Sequence, residues 1–269
     1  MKAFRIVDEI RRERRLGSTA LAWKVLEAYR ALAVESSDLS LDAAKLAEEV
    51  ENARPSMPLV RRFSLEVLSR VRRFEPGELL KACEEVEKTY RGIAERLVET
   101  AAAELGQHKT VCTMSHSGTV LQILKKAAGV EKVFVLESRP LREGLITAAG
   151  LKALKKVVVC VDAAAFLVAG LSDAVVVGAD ALFPDGSFSS KLGAGLLALA
   201  ARNQNKPVYV ACDTWKKTDK FEQEHGPPED LDAGPGVEAF NPVFEKVAAS
   251  LVSSYLTERG VFKTIFFDS

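Results

Sequence analysis

A helical N-terminal domain followed by an α/β domain on a doubly wound, mainly parallel sheet is the fold class this sequence predicts. Three observations predict it. Up to about residue 105 the apolar positions recur at helical spacing only. After Gly106, short β-rich apolar runs alternate with helical stretches. Those runs are nearly continuous in apolar residues, as in strands covered on both faces. The expected domains are residues 1–105 and 106–269.

Gly17 precedes the first strongly patterned helix. Ser18 or Thr19 is placed to cap it, and Leu21, Val25, Leu26, Tyr29 and Leu32 share one face. Ser40 leads a shorter helix with Leu41, Ala44, Leu46 and Val50. Pro55 and Pro58 break it, and a helix with Leu59, Phe63, Leu65, Val67 and Leu68 follows. Leu79, Cys83, Val86, Tyr90, Ile93, Leu97 and Ala101 recur by threes and fours, which predicts a long amphipathic helix to about residue 104.

Beyond Gly106, strands are expected at residues 110–114, 132–137, 156–161, 174–177 and 207–212, with a last one near 262–266. Helices are expected at 119–128, 141–154, 163–169 and 190–205. This alternation fits right-handed parallel crossovers. Residues 216–240 hold Gly226, Pro227, Pro228, Gly234, Pro235 and Gly236. They read as a long loop, a kind of segment that is often functional.

Composition narrows the function classes. Lys plus Arg and Asp plus Glu number 37 each, so no global field grips a nucleic-acid backbone. Two local basic clusters, at Arg11, Arg12, Arg14, Arg15 and at Arg61, Arg62, Arg70, Arg72, Arg73, read as solvated helix faces with acidic neighbours. They lack the interleaved aromatics of single-strand binders, so no direct nucleic-acid binding is expected. Cys83, Cys112, Cys160 and Cys212 form no CxxC pair and read as free thiols in a reducing compartment. His108, His116 and His225 are not at metal-ligand spacing, and no metal or cofactor is expected. No signal peptide opens the chain and no apolar stretch spans a bilayer, so a cytoplasmic protein without membrane contact is expected.

In doubly wound sheets, ligands bind outside the carboxyl ends of the strands. Ser115, His116, Ser117, Gly118 and Thr119 follow the first strand. Hydroxyls and free amides at a helix start make an anion cradle, although Ser117 or Thr119 as a simple cap is an equal alternative. Glu137, Ser138, Arg139 and Pro140 follow the second strand. Pro140 suits the first turn of a helix, and the Arg139 fork would hold a phosphate or pair with Glu137 or Glu143. Asp180 ends the fourth strand, where its carboxylate is an acid or base, or else caps the next turn. Ser189, Ser190, Lys191 and Gly193 read as the next helix start, with Lys191 adding positive charge to the anion site or standing solvated.

Two motifs fail on context. Gly193, Gly195 and Ala198 match a dinucleotide fingerprint, but that motif needs a strand running straight into its first glycine. Ser115, His116 and Asp180 name a triad, but there is no nucleophile elbow, and a His beside its own Ser is poorly placed as its base.

Together the landmarks resemble one superfamily. They are Val175 to Asp180 with Asp185, Gly186, Lys191 and Gly193, the run Asn205 to Ala211, and Thr113 to Ser117. Glu137 to Pro140, Ala53 to Pro55, and Asn241 with Pro242 complete the set. The superfamily holds the alpha, beta and delta regulatory subunits of translation initiation factor 2B. It also holds methylthioribose-1-phosphate isomerase and ribose-1,5-bisphosphate isomerase. The resemblance implies a helical domain before a Rossmann-like domain, a homo-oligomer, and a pocket for a pentose phosphate or an AMP-like ligand. It assigns Asp180 and Ser115 to the catalytic positions. Arg54, Arg139, Lys191, Ser117 and Gly17 fall on ligand contacts. The isomerases use a Cys where Ser115 stands, as the regulatory subunits do not. Their Arg-Gly-Ala motif appears here as Leu16, Gly17 and Ser18, and the Asn before their Lys is Ser190.

Three readings follow. The first is a regulatory-subunit-like binding protein that contacts translation initiation factor 2. The second is a sugar 1-phosphate aldose–ketose isomerase using Asp180. The third, remote, is a dinucleotide oxidoreductase.

Overall fold

The computed structural model describes residues 1–234 and 236–264, and the chain divides into two units, Met1–Glu95 and Arg96–Ser269. The first unit is all helix. It comprises α1 (Lys2–Arg12), α2 (Ser18–Glu35), α3 (Leu39–Ala53), α4 (Pro58–Leu68) and the start of α5 (Pro76–Leu105). In α1, Ala3, Ile6, Val7 and Ile10 are buried, one stripe at threes and fours. Leu21, Val25, Leu26, Tyr29 and Leu32 are the buried face of α2, as their spacing predicts. Gly17 is the N-cap of α2 without a side-chain hydrogen bond, and Ser18 is buried inside the helix, so neither expected hydroxyl caps it. Asp38 caps α3 by accepting from the Leu41 amide at 3.1 Å. The arginine clusters meet acids: Arg11 pairs with Asp8 and Glu49, Arg61 with Glu51, and Arg62 and Arg70 with Glu66.

The second unit carries β1 (Thr110–Met114), α6 (Gly118–Lys126), β2 (Lys132–Leu136), α7 (Gly144–Leu151), β3 (Lys156–Cys160) and α8 (Ala165–Gly170). Then come β4 (Ala174–Gly178), β5 (Ala181–Leu182), β6 (Phe188–Lys191), α9 (Ala194–Asn203) and β7 (Val208–Ala211). The last strands are β8 (Phe244–Val247), β9 (Ser254–Thr257) and β10 (Gly260–Phe262). Seven strands form one sheet in the order β10-β9-β7-β4-β1-β2-β3. Every neighbour pair is parallel except β9 with β10.

Alternate side chains fill two cores. Cys112, Phe134, Val175 and Val210 pack under α8 and α9, whereas Val111, Val133, Val176 and Tyr209 pack under α6, α7 and the end of α5. This double cover is why the strands read as unbroken apolar runs. Strand order reverses between β1 and β4, the switch point at which such sheets open a crevice.

Three expectations are corrected. Residues 190–193 are not a helix start. Ser190 and Lys191 belong to β6, which pairs antiparallel with β5 and β8 in a small second sheet, and α9 begins only at Ala194. The helix expected at 141–154 is shorter, because residues 139–143 form turns around a cis Arg139–Pro140 bond, so Pro140 opens no helix. The chain end holds β9 beside β7, which the sequence reading missed. Pro235 of the long loop and Ile265 and Phe266 of the expected last strand lie outside the described residues.

Candidate functional site

The site is built on the ends of β1 and β2 and on the turn after β4. Ser115 leaves β1 with φ 54°, a left-handed turn that ordinary residues adopt only when held. It is held from both sides. Its amide donates to Ser138 Oγ at 2.8 Å, and its carbonyl accepts from Thr147 Oγ1 at 2.8 Å. Ser138, also left-handed at φ 63°, is fixed in turn, since its amide and that of Arg139 donate to the two oxygens of Asp162 at 2.8 and 2.7 Å.

Ser117 is the N-cap of α6 and accepts from the Val120 amide at 3.3 Å. Its Oγ also touches β4, because a Cβ on Gly178 would lie 2.7 Å from it. The cap does not exhaust the helix end. Among the described residues, the amides of His116, Ser117, Gly118 and Thr119 donate to no protein acceptor. Open amides at a helix N-terminus are the kind of donor set that can seat an anion, and here Ser117 caps the helix beside them. His116 does not face Ser115. Its Nδ1 lies 3.1 Å from Thr147 Oγ1, and burial holds its pKa below the ordinary 6.5, with Glu143 opposing. No serine triad forms.

Arg139 is exposed, and its guanidinium makes no hydrogen bond or ion pair among the described residues. Glu137 and Glu143 go elsewhere. Glu137 accepts from Arg142 at 2.9 Å, and Glu143 pairs with Lys191. The Lys191 ammonium lies 2.6 Å from Glu143 Oε1, and both side chains are largely buried, with 13% and 3% of their surface open. Glu143 Oε2 is buried without a partner. Lys191 is therefore neither solvated nor a bare cation. Glu143 Oε2 has no open surface, so what the pair leaves for a ligand oxygen is the remaining ammonium protons of Lys191.

Asp180 is half-buried just beyond β4. Its amide donates to Ser189 at 2.8 Å, but its carboxylate makes no hydrogen bond among the described residues, so it caps no turn. Lys216 is close enough to feel that carboxylate. It is buried and donates to the Ala179 carbonyl at 2.9 Å. Burial works against its charge, yet Asp213, Cys212 and Asp180 hold its pKa above the usual lysine value. No other thiol replaces the missing one at Ser115. Cys112 inside β1 and Cys212 after β7 are both buried, and burial raises their pKa.

Gly17 and Arg54 lie in the first unit. Glu13 gathers the amides of Arg14, Arg15 and Leu16, and Arg54 Nη1 donates to the Glu13 carbonyl at 2.7 Å. Arg54 thus braces the loop that leads to Gly17. The dinucleotide spacing has another use. The amides of Gly193 and Gly195 both donate to Glu245 Oε1, at 2.6 and 3.0 Å. A pyrophosphate would have to displace that carboxylate.

Sequence reasoning missed Asp162, Lys216 and Glu245, and saw Glu143 only as a partner for Arg139. Asp162 and Lys216 did carry a signal, a polar residue shortly after an apolar strand. Glu143 and Glu245 carried none, since nothing local marks a carboxylate for burial.

A family model described as "Initiation factor 2 subunit family" matches residues 13–264. An eIF-2B subunit 2-like protein of Pyrococcus furiosus is 30% identical over 225 residues, covering 80% of this chain and 79% of the relative. Ribose 1,5-bisphosphate isomerase of the same organism is 30% identical over 184 residues, covering 62% and 57%. Among solved structures, the translation initiation factor eIF-2B of Pyrococcus horikoshii superposes with TM-score 0.87 at 27% identity, covering 97% of this chain and 96% of that one. Matched over nearly its full length, this chain belongs to the initiation factor 2 subunit family.

Proposed function

We propose that this chain is a regulatory-subunit-like member of the family that binds a phosphorylated sugar or nucleotide at the β1/β4 switch point. The open amides of residues 116–119 carry the reading. They suit a phosphate dianion, and the unpaired Arg139 guanidinium adds a fork of matching geometry. The remaining ammonium protons of Lys191 then meet a sugar oxygen. As a cytoplasmic homo-oligomer, such a protein would contact translation initiation factor 2.

The test is calorimetry with ribose 1,5-bisphosphate and with AMP, on the native chain and on Ser117→Asp. Aspartate keeps the helix cap but puts negative charge in the seat. Binding of either ligand by the native chain, lost in Ser117→Asp, is expected. Failure of the native chain to bind both overturns the reading.

A second reading, a sugar-phosphate aldose–ketose isomerase, is favoured by one observation, the unengaged carboxylate of Asp180. It would shuttle the proton as hydrogen moves between C2 and C1. Ser115 weakens this reading, because a serine hydroxyl is a far weaker acid than a thiol. An assay on ribose 1,5-bisphosphate and methylthioribose 1-phosphate decides it.

A further inference from the structure

One ring nitrogen of His116 is tied down and the other is left over. Thr147 Oγ1, on a buried residue of α7, lies 2.8 Å from the Ser115 carbonyl and 3.1 Å from His116 Nδ1. A hydroxyl has a single proton, and a carbonyl can only accept. The Thr147 proton is therefore committed to Ser115, and Nδ1 must donate to Thr147 Oγ1. A neutral imidazole carries its proton on one nitrogen only. With that proton on Nδ1, Nε2 is a bare lone pair, and it has no hydrogen-bond partner among the described residues.

We infer that His116 is a further ligand-binding residue of this site, taking a second proton on Nε2 when a phosphate dianion docks on the neighbouring amides. The inference rests on the phosphate seat of the proposed function and adds the proton that accompanies the ligand. Proximity follows from covalent structure. The His116 amide is itself one of the open donors, so an anion held there lies within one side chain's length of the imidazole. The ring is half-buried, so solvent screens that charge only in part. An opposite charge within about 4–6 Å moves a pKa by about one to three pH units toward the charged form.

The surrounding charges leave that proton to the ligand. Ahead of α7, Glu143 favours the protonated ring, but it is closed on Lys191 of β6. At the end of β2, Glu137 is closed on Arg142, and Asp162 on the amides of Ser138 and Arg139. The side chains of Arg139 and Asp180 make no hydrogen bond or ion pair among the described residues. In the free protein burial outweighs Glu143, the pKa lies below the ordinary 6.5, and the ring is neutral through most of the physiological range. A docked dianion adds negative charge that is not already shared. Because the bound form then holds the extra proton, affinity rises as pH falls through the bound-state midpoint.

Magnetic resonance of the histidine-labelled full chain tests this, with sulfate as the probe because it stays a dianion from mild acid to mild base. The His116 signals are identified by their loss in His116→Asn, whose amide can still donate to Thr147. Without sulfate, the neutral ring is expected to show its proton on Nδ1. Saturating sulfate is expected to raise the His116 midpoint by about one pH unit or more. Sulfate should also bind several times more tightly near pH 6 than near pH 8, a dependence that His116→Asn removes. Should that variant not fold, His116→Gln makes the identification and the titration of the native chain decides. Sulfate that moves the amides of 116–119 without moving the midpoint overturns the inference and leaves the phosphate seat standing, as does a neutral ring protonated on Nε2. Sulfate that leaves those amides unmoved overturns the seat and the inference together.

Discussion

The Lys191 ammonium sits 2.6 Å from Glu143 Oε1, and the second oxygen of that carboxylate is buried with no partner. A cation expected to meet ligand phosphate is already neutralised from within the protein. What the pair leaves open is the rest of the Lys191 ammonium.

Glu143→Gln should separate these roles. Removing one member of a buried pair typically costs about 3–5 kcal/mol, and the slight exposure of Lys191 argues for the lower end. Urea unfolding should show that loss, and inorganic phosphate should bind more tightly to the variant because the Lys191 charge is uncovered. Unchanged stability would mean the pair is not closed in solution.

Stability should fall in mild acid through His116. Burial lowers its folded pKa below 6.5, while Glu143 opposes. The unfolded chain therefore binds the proton more readily, and the His116 contribution is fully present above about pH 6.5. It is lost as pH falls through the folded pKa, by up to about 1.4 kcal/mol per pH unit in between. Thermal melts from pH 8 to 5 should show a shallower acid slope in His116→Asn than in the native chain.

Thiol chemistry should follow burial. Burial pushes Cys83 up to about 12 and raises Cys112 and Cys212, so these three should resist alkylation in the folded protein. Ser115→Cys should add one fast-reacting thiol, protected by ribose 1,5-bisphosphate. Equal labelling with and without ligand would place the binding site elsewhere.

Asp180→Asn divides binding from catalysis. In a binding protein it removes a negative charge near the phosphate seat and should tighten ligand binding by about 1 kcal/mol, some fivefold. In an isomerase it should abolish turnover. Parallel calorimetry and product assays read both outcomes from the same variant.

Much of this protein was legible in one dimension. The spacing of Leu79, Cys83, Val86 and Tyr90 specifies a helix, and the unbroken run Val175 to Val177 specifies a strand covered on both faces. The turn after β1 was legible too, because serines and a glycine between an apolar strand and an apolar helix leave amides open. These are local patterns, set by side-chain period and backbone donors. Tertiary structure decided what depends on distant partners. Lys191 read as a helix start because its neighbours are small and polar, and only pairing with β8 makes it a strand. Glu245 fills the amides of α9 from 50 residues away, and Glu143 reaches Lys191 across 48 positions. Burial of a charge is set by whatever folds over it, and no window of sequence contains that.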